Sequence, residues 1–199
     1  MKKRIICITE GALSLALAYC LELLCVWLNQ ITGIGELLAY GGTITVSMLP
    51  IVFYSYRRGA LWGTGAGFIY CLLQMMLGLS YIPPANTWYA IVICILLDYV
   101  IAFSVVGLAD LFAKPFKSHR LLGYCFGAVA VCLIRFVSSF LSGVVLWGSY
   151  APEGMNVWCY SLIYNGSYML PNAILTGIFA VILCAAIDPK TLKPFKKSA

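Results

Sequence analysis

Long apolar runs separated by short polar breaks are the feature that most constrains the fold of this 199-residue chain. A helix needs about 20 apolar residues to cross a hydrocarbon core roughly 30 Å thick, and the chain has room for about six such segments. Only 10% of its residues are charged, whereas a soluble domain carries about a quarter. The sequence therefore predicts a single all-α polytopic membrane domain over residues 1–199 and excludes an ordinary soluble globule.

The apolar runs predict six transmembrane helices. They cover residues 5–29, 37–56, 60–80, 88–112, 120–147 and 160–187. The second run is irregular, because it contains Gly41, Gly42 and Pro50. Glycine loosens a helix and proline removes one of its hydrogen bonds, so two alternatives stay open for this segment. It is either an ordinary kinked helix or a loop or broken helix covered by protein or a watery cavity.

The lysines and arginines lie between alternate apolar runs. Twelve of the 13 precede the first run, separate the second from the third or the fourth from the fifth, or follow the sixth. The other three connections contain none. Because positive residues near span ends stay cytoplasmic, the sequence predicts that both termini are cytoplasmic in a prokaryotic-type plasma membrane.

Several other classes of function lack support in the sequence. The net charge of +6 does not reflect a basic patch interleaved with aromatic residues, so no nucleic-acid partner is predicted. The nine cysteines include no C-x-x-C pair, so neither a disulfide framework nor a metal site is expected. Catalytic motifs and a phosphate-binding loop are also missing. We therefore predict no enzyme, no cofactor and no ability of this chain alone to couple ATP to transport.

A charge inside an apolar run is costly unless it faces a cavity or a partner, and Arg135 and Asp98 are two such residues. Arg135 lies in the middle of the fifth run, and Asp98 is the matching acidic residue in the fourth. One alternative is an Arg135–Asp98 pair that only joins two helices. Glu22 in the first run is a competing partner for Arg135, or a carboxylate used in helix packing. Whether Arg135 contacts a ligand or only holds a cavity wall also stays open.

Aromatic and polar residues are densest over residues 138–154, which include Ser142 and Trp147, and the pattern continues over residues 160–168. Tyr160, Tyr164 and Tyr168 recur at four-residue spacing and share one helix face, with Asn165 beside Tyr164. An aromatic belt at the membrane surface explains interfacial Trp and Tyr, but it leaves Asn165 without a partner. Aromatic walls with one acid suit a flat, cationic, water-soluble ligand, through stacking, cation–π attraction and a charge-assisted hydrogen bond.

Ala12 and Ala16 place two small side chains four residues apart on the first helix. Such spacing lets another helix approach closely. The approaching helix belongs either to a separate subunit or to the same chain, and the sequence does not distinguish the two.

Two segments resemble the thiamine-specific substrate-binding S-components of energy-coupling-factor (ECF) vitamin transporters. They are residues 147–155 (Trp-Gly-Ser-Tyr-Ala-Pro-Glu-Gly-Met) and residues 160–171 (Tyr-Ser-Leu-Ile-Tyr-Asn-Gly-Ser-Tyr-Met-Leu-Pro). Residues 48–52, 57–59 and 97–103 add support. The Ala12 and Ala16 pair is similar to the A-x-x-x-A element by which S-components dock on their coupling subunit.

The resemblance implies a six-helix protein that binds thiamine from outside and releases it inside with a transmembrane coupling subunit and two ATPase subunits. By position, it implies that Asp98 binds the pyrimidine, with Tyr99 beside it. Stacking and hydrogen-bonding roles are implied for Trp147, Tyr160 and Asn165. The full set of predicted substrate-binding residues is Asp98, Tyr99, Arg135, Ser139, Trp147, Tyr160, Tyr164 and Asn165.

Three positions depart from the pattern of that family. Asp98 stands where the family usually has Glu, Ser139 where it has a His that stacks on the ligand, and Asn172 where it has Glu after the final Pro. Asp shortens the reach of the carboxylate, and Ser removes an aromatic ring. The predicted ligand is therefore thiamine or a relative, such as its pyrimidine or thiazole half.

Other functions remain as alternatives to the transporter subunit. The first is a solitary or proton-coupled carrier, in which Asp98 would titrate and uptake would need no ATPase. A membrane enzyme acting on lipids would need a catalytic cluster that the sequence does not contain. A purely structural subunit would leave Arg135, Asp98 and Asn165 without a role.

Overall fold

In the computed structural model, residues 2–38, 42–78 and 87–194 are described, and all regular elements within them are helical. The principal ones are α1 (Lys2–Thr32), α2 (Leu49–Arg58), α3 (Ala60–Gly78), α4 (Trp88–Phe116), α5 (Arg120–Leu146) and α6 (Val157–Ala186). Short helices also cover Ile34–Leu37 and Gly148–Tyr150. The predicted all-α class is confirmed.

Four of these helices are long and apolar enough to cross a membrane, namely α1, α4, α5 and α6. The apolar part of α3, Ala60–Met76, is shorter. Residues 79 and 80 of the predicted third span lie outside the described residues. The number of six crossings stays a prediction, because α2 has only 10 residues.

The predicted second span, 37–56, is wrong in its first half. Residues 42–46 are not helical, and α2 begins only at Leu49; residues 39–41 lie outside the described ranges. Pro50 lies in the first turn of α2. A backbone N–H in the first turn has no acceptor within the helix, so proline, which lacks this N–H, is tolerated there. The broken-helix alternative is therefore the one that the structure contains.

Asparagine side chains satisfy the backbone of this non-helical segment. The Asn29 amide donates to the Ile44 carbonyl at 2.8 Å and accepts from the Ile44 N–H at 3.3 Å. Asn172 accepts from the Thr45 N–H at 2.8 Å and donates to the Thr43 carbonyl at 3.2 Å. Irregular backbone survives at membrane depth only when its polar groups find such partners.

Small residues allow close helix crossings in the core. A Cβ added to Gly107 in α4 would lie 2.0 Å from the carbonyl carbon of Gly63 in α3, so the two backbones touch. A Cβ added to Gly143 in α5 would lie 2.2 Å from the hydroxyl oxygen of Ser161 in α6. Such contacts hold membrane helices together by close packing.

An ionic network gathers one end of the bundle. Arg57, at the end of α2, forms an ion pair of 2.6 Å with Glu10 of α1 and donates to the Pro189 carbonyl at 3.2 Å. Arg120, at the start of α5, pairs with Asp188 at 2.9 Å. These contacts link the chain ends of α2 and α6 and the start of α5. The charge pattern predicts that all three lie on the same side of the membrane.

Candidate functional site

A cavity of about 660 Å³ lies among α3, α4, α5 and α6, towards the end of the bundle opposite the ionic network. All the predicted substrate-binding residues line it: Asp98, Tyr99, Arg135, Ser139, Trp147, Tyr160, Tyr164 and Asn165. The other described residues of its wall are Gln74, Cys94, Phe103, Gly143, Tyr150, Ser161 and Tyr168. Residues far apart in sequence therefore form one pocket.

A π-helical segment places the acidic side of this pocket. α4 changes from α to π geometry over Ile95–Ile101, which contains Asp98 and Tyr99. A π turn is wider than an α turn and is frequently found at functional sites. Both Asp98 and its neighbour Tyr99 reach the cavity wall here. The sequence analysis gave no indication of this change of helix type.

Asp98 is held by three donors that share one of its oxygens. Its Oδ2 atom accepts hydrogen bonds from the Ser142 hydroxyl at 2.5 Å, the Trp147 indole N–H at 3.3 Å and the Cys94 thiol at 3.6 Å. Among the described residues, the Oδ1 atom has no hydrogen-bond donor, so this oxygen is available to a ligand. Ser142 belongs to the polar and aromatic stretch of the sequence, but neither it nor Cys94 is among the predicted substrate-binding residues, although the four-residue spacing from Cys94 to Asp98 indicates a shared helix face.

Arg135 does not pair with a carboxylate within the described part of the chain. The alternative of a direct Arg135–Asp98 ion pair is wrong, because no such pair is among the salt bridges of the described residues; Asp98 contacts α5 through the Ser142 hydroxyl. Glu22 forms no ion pair with Arg135 among the described residues either; its carboxylate accepts from the Thr45 hydroxyl at 3.0 Å. The Arg135 guanidinium lies 4.7 Å from the centre of the Phe103 ring, and its buried Nε atom has no hydrogen-bond partner among the described residues.

The aromatic ladder of α6 forms one wall of the cavity. The ring centres of Tyr160 and Tyr164 are 6.1 Å apart and stacked, and those of Tyr164 and Tyr168 are 5.8 Å apart and edge-to-face. Trp147 packs against Tyr150 at 5.9 Å on another side. The predicted shared face of the tyrosines is confirmed, and it offers several flat surfaces to a planar ligand.

Asn165 has partners inside the protein. Its amide nitrogen donates to the Ser161 carbonyl at 3.1 Å and the Ser139 carbonyl at 3.4 Å, and its oxygen accepts from the Tyr168 hydroxyl at 3.2 Å. It thereby joins α6 to α5 and orients a tyrosine of the wall. Ser139 contributes a small side chain to the cavity wall.

Asn172 lies outside the cavity wall, and its side chain binds backbone groups instead. It binds the backbone of the segment 42–48, as described above. That segment also touches the cavity's aromatic wall, since a Cβ added to Gly42, whose φ is 109°, would lie 2.5 Å from the Tyr168 ring. Gly42 can adopt this φ only because it lacks a side chain.

Ala12 and Ala16 are exposed on the outer surface of α1. The neighbouring Gly11, Leu15 and Ala18 face the bundle instead. The two alanines therefore do not serve a helix contact within the described part of this chain, and they are accessible to lipid or to a separate subunit.

Known proteins identify the family. The model of the family described as thiamine transporter protein matches residues 8–192. The chain belongs to the thiamine transporter protein family. It is 34% identical over 179 residues to the thiamine transporter ThiT of Bacillus subtilis, covering 85% of this chain and 88% of that protein. It is 31% identical over 194 residues to ThiT of Lacticaseibacillus paracasei, covering 91% and 88%.

A solved structure of ThiT from Listeria monocytogenes has the same fold. It matches with a TM-score of 0.73 at 24% identity, covering 96% of this chain and all of that chain. Membership of this bacterial thiamine transporter family and the apolar helices make the protein a multi-pass cell-membrane protein. The family is one of transporters, so the prediction of a non-enzymatic protein is confirmed.

Proposed function

We propose that this chain is the substrate-binding S-component of an ECF-type uptake transporter and that it binds thiamine, or a close relative of thiamine, in the cavity. The observation that carries the proposal is Asp98, fixed by Ser142 and Trp147 with one oxygen left over, inside an aromatic pocket. Two relatives at more than 30% identity are named thiamine transporters.

The chemistry of the wall fits an aminopyrimidine joined to a cationic thiazolium ring. The Asp98 carboxylate accepts hydrogen bonds from the amino group or ring, and Trp147, Tyr160 and Tyr164 supply stacking faces. The volume of about 660 Å³ falls in the range of about 300–1,000 Å³ common for small-molecule sites. Because Ser139 is small, the pocket also has room beside the rings.

The proposed orientation puts both termini in the cytoplasm and the cavity towards the outer face. This follows from the positive-inside rule together with the position of the cavity, which is remote from the ionic network of Arg57 and Arg120. Ligand then binds from outside. Release inside is proposed to need a transmembrane coupling subunit and two ATPase subunits, since the sequence contains no phosphate-binding loop of its own.

Ligand binding by purified protein tests the proposal. The protein in detergent is titrated with thiamine while its tryptophan fluorescence is followed, because Trp147 lines the cavity. We expect saturable quenching in the wild type and its loss in Asp98→Asn, which removes the charge that faces the ligand. Asp188→Asn is the matched control, since Asp188 lies in the ionic network, and it should bind as the wild type does.

Two results would contradict the proposal. Absence of saturable quenching by thiamine in the wild type removes the ligand assignment. Equal affinity of the wild type and Asp98→Asn removes the role of Asp98.

A further inference from the structure

A second cavity, of about 230 Å³, lies at the end of the bundle that holds the ionic network. It lies between the end of α4, the start of α5 and the chain just after α6. Four cationic side chains line it, and we call it the basic groove: Lys114, Lys117, Arg120 and Lys190. Small-molecule sites usually begin at about 300 Å³, so the basic groove suits a small headgroup better than a whole drug-sized ligand.

The acids around the basic groove are too few to balance its cations. Asp110, the single acid among the described residues of its wall, is shared by Lys190 at 3.1 Å and Lys114 at 3.7 Å. One further carboxylate, in the ionic network, pairs with Arg120. Lys117 forms no ion pair within the described part of the chain. Four cations beside two carboxylates create a positive potential that attracts an anion.

An apolar surface continues from the basic groove. Phe116 lines the groove, and its ring centre lies 5.0 Å from that of Phe126 on α5. Phe126 is 48% exposed, and Leu122, one turn earlier on the same face of α5, is 55% exposed. In a multi-pass membrane protein such a surface contacts acyl chains. A molecule that fits both parts therefore has an anionic headgroup joined to apolar chains, which free phosphate does not.

We propose that the basic groove binds the phosphate of an anionic phospholipid, whose acyl chains lie along Phe126 and Leu122. Lysine and arginine donate charge-assisted hydrogen bonds to phosphate oxygens, and basic pockets between membrane helices suit anionic headgroups. Because the groove is built from α4, α5 and the chain after α6, a bound lipid joins these three elements at one end of the bundle. The inference does not depend on which ligand occupies the main cavity.

Native mass spectrometry of the purified protein tests the inference. The protein in detergent receives equal amounts of phosphatidylglycerol, which is anionic, and phosphatidylcholine, which is zwitterionic. We expect the wild type to retain one phosphatidylglycerol per chain about 10-fold or more in preference to phosphatidylcholine, because each nearby Lys or Arg strengthens the attraction of an anionic lipid. Lys114→Gln/Lys117→Gln should bring this ratio close to one. Lys117→Gln alone, which breaks no ion pair among the described residues, should lower it in the same direction.

Lys3→Gln/Arg4→Gln is the matched control. It removes two positive charges from exposed positions on α1 outside the basic groove, so it should keep the wild-type ratio. The unfolding temperature of each variant without added lipid verifies that it is folded, independently of any ligand. Inorganic phosphate, added at the concentration of the lipid, distinguishes a lipid from a free anion, and it should not displace phosphatidylglycerol.

Three results would overturn the inference. The first is equal retention of the two lipids by the wild type. The second is the same lipid ratio in Lys114→Gln/Lys117→Gln as in the wild type, or an equal loss in the α1 control, since the attraction would then not belong to the groove. The third is displacement by inorganic phosphate, which would make the groove an anion site without lipid. Thiamine titration of the same samples tests the proposed function separately.

Discussion

At the scale of single residues, the pocket depends on how one carboxylate is oriented. Ser142 gives Asp98 its shortest hydrogen bond, 2.5 Å, from the neighbouring helix α5. Asp has a short side chain, so the position of its carboxylate relative to the ligand depends strongly on this contact. Ser142 is completely buried and is not part of the cavity wall. Its hydroxyl therefore orients the Asp98 carboxylate without contacting a ligand.

Ser142→Ala should weaken thiamine binding about 10-fold, because a hydrogen bond to a charged group contributes about 1.5–3 kcal/mol. Fluorescence titration of the purified variant measures this change. Ser138→Ala is the control, since the Ser138 hydroxyl also bonds from α5 to α4 but reaches the Leu97 carbonyl at 2.7 Å. If both variants lose affinity equally, the effect reflects helix packing and Ser142 does not position Asp98.

At the scale of elements, two departures from regular helix shape the site. The π-helical turn over Ile95–Ile101 brings Asp98 and Tyr99 to the cavity. The segment 42–48 replaces the first half of a helix, and its polar backbone is paired with Asn29 and Asn172. An amide offers both a donor and an acceptor, which a carboxylate at position 172 would not.

Asn172→Ala should lower the free energy of unfolding by about 1–3 kcal/mol, because it leaves the Thr45 N–H and the Thr43 carbonyl without partners. Thermal unfolding in detergent measures the loss. Gln30→Ala, which removes an exposed amide from α1, should unfold as the wild type does. An unchanged unfolding temperature for Asn172→Ala would show that this segment does not depend on the amide.

At the scale of the whole molecule, the bundle has two chemically different ends. One end is tied by ion pairs such as Arg57–Glu10, and the other holds the aromatic cavity. Between them, α1 leaves most of its apolar surface exposed, including Ala12 and Ala16. This arrangement supports the proposal of two separate binding surfaces. The ligand would bind in the cavity at one end, and a coupling subunit would bind the exposed side of α1.

Ala12→Leu/Ala16→Leu should abolish co-purification with the ECF coupling subunit and ATPases but leave thiamine binding intact, because larger side chains keep a partner helix away. Pull-down from membranes measures the first and fluorescence titration the second. Ala185→Leu, an equally exposed change on α6, should not affect assembly. Thiamine uptake by cells that contain this chain without the partners would instead support the solitary-carrier alternative.

The sequence by itself determined the helical membrane class, the family and eight residues of the cavity wall. These properties depend on local features: the length of apolar runs, the four-residue spacing of Tyr160, Tyr164 and Tyr168, and the cost of a charge such as Asp98 among apolar neighbours. Short segments also carry the family resemblance, so it needs no knowledge of the packing.

Only the tertiary structure decided which groups meet. Arg135 and Asp98 have the right charges and depths to pair, yet Asp98 bonds to Ser142 and Arg135 lies over Phe103. The break before α2 is stable because Asn172, 127 residues away from Thr45, supplies the missing hydrogen bonds. Such contacts depend on the rotation and spacing of packed helices, which no local pattern specifies.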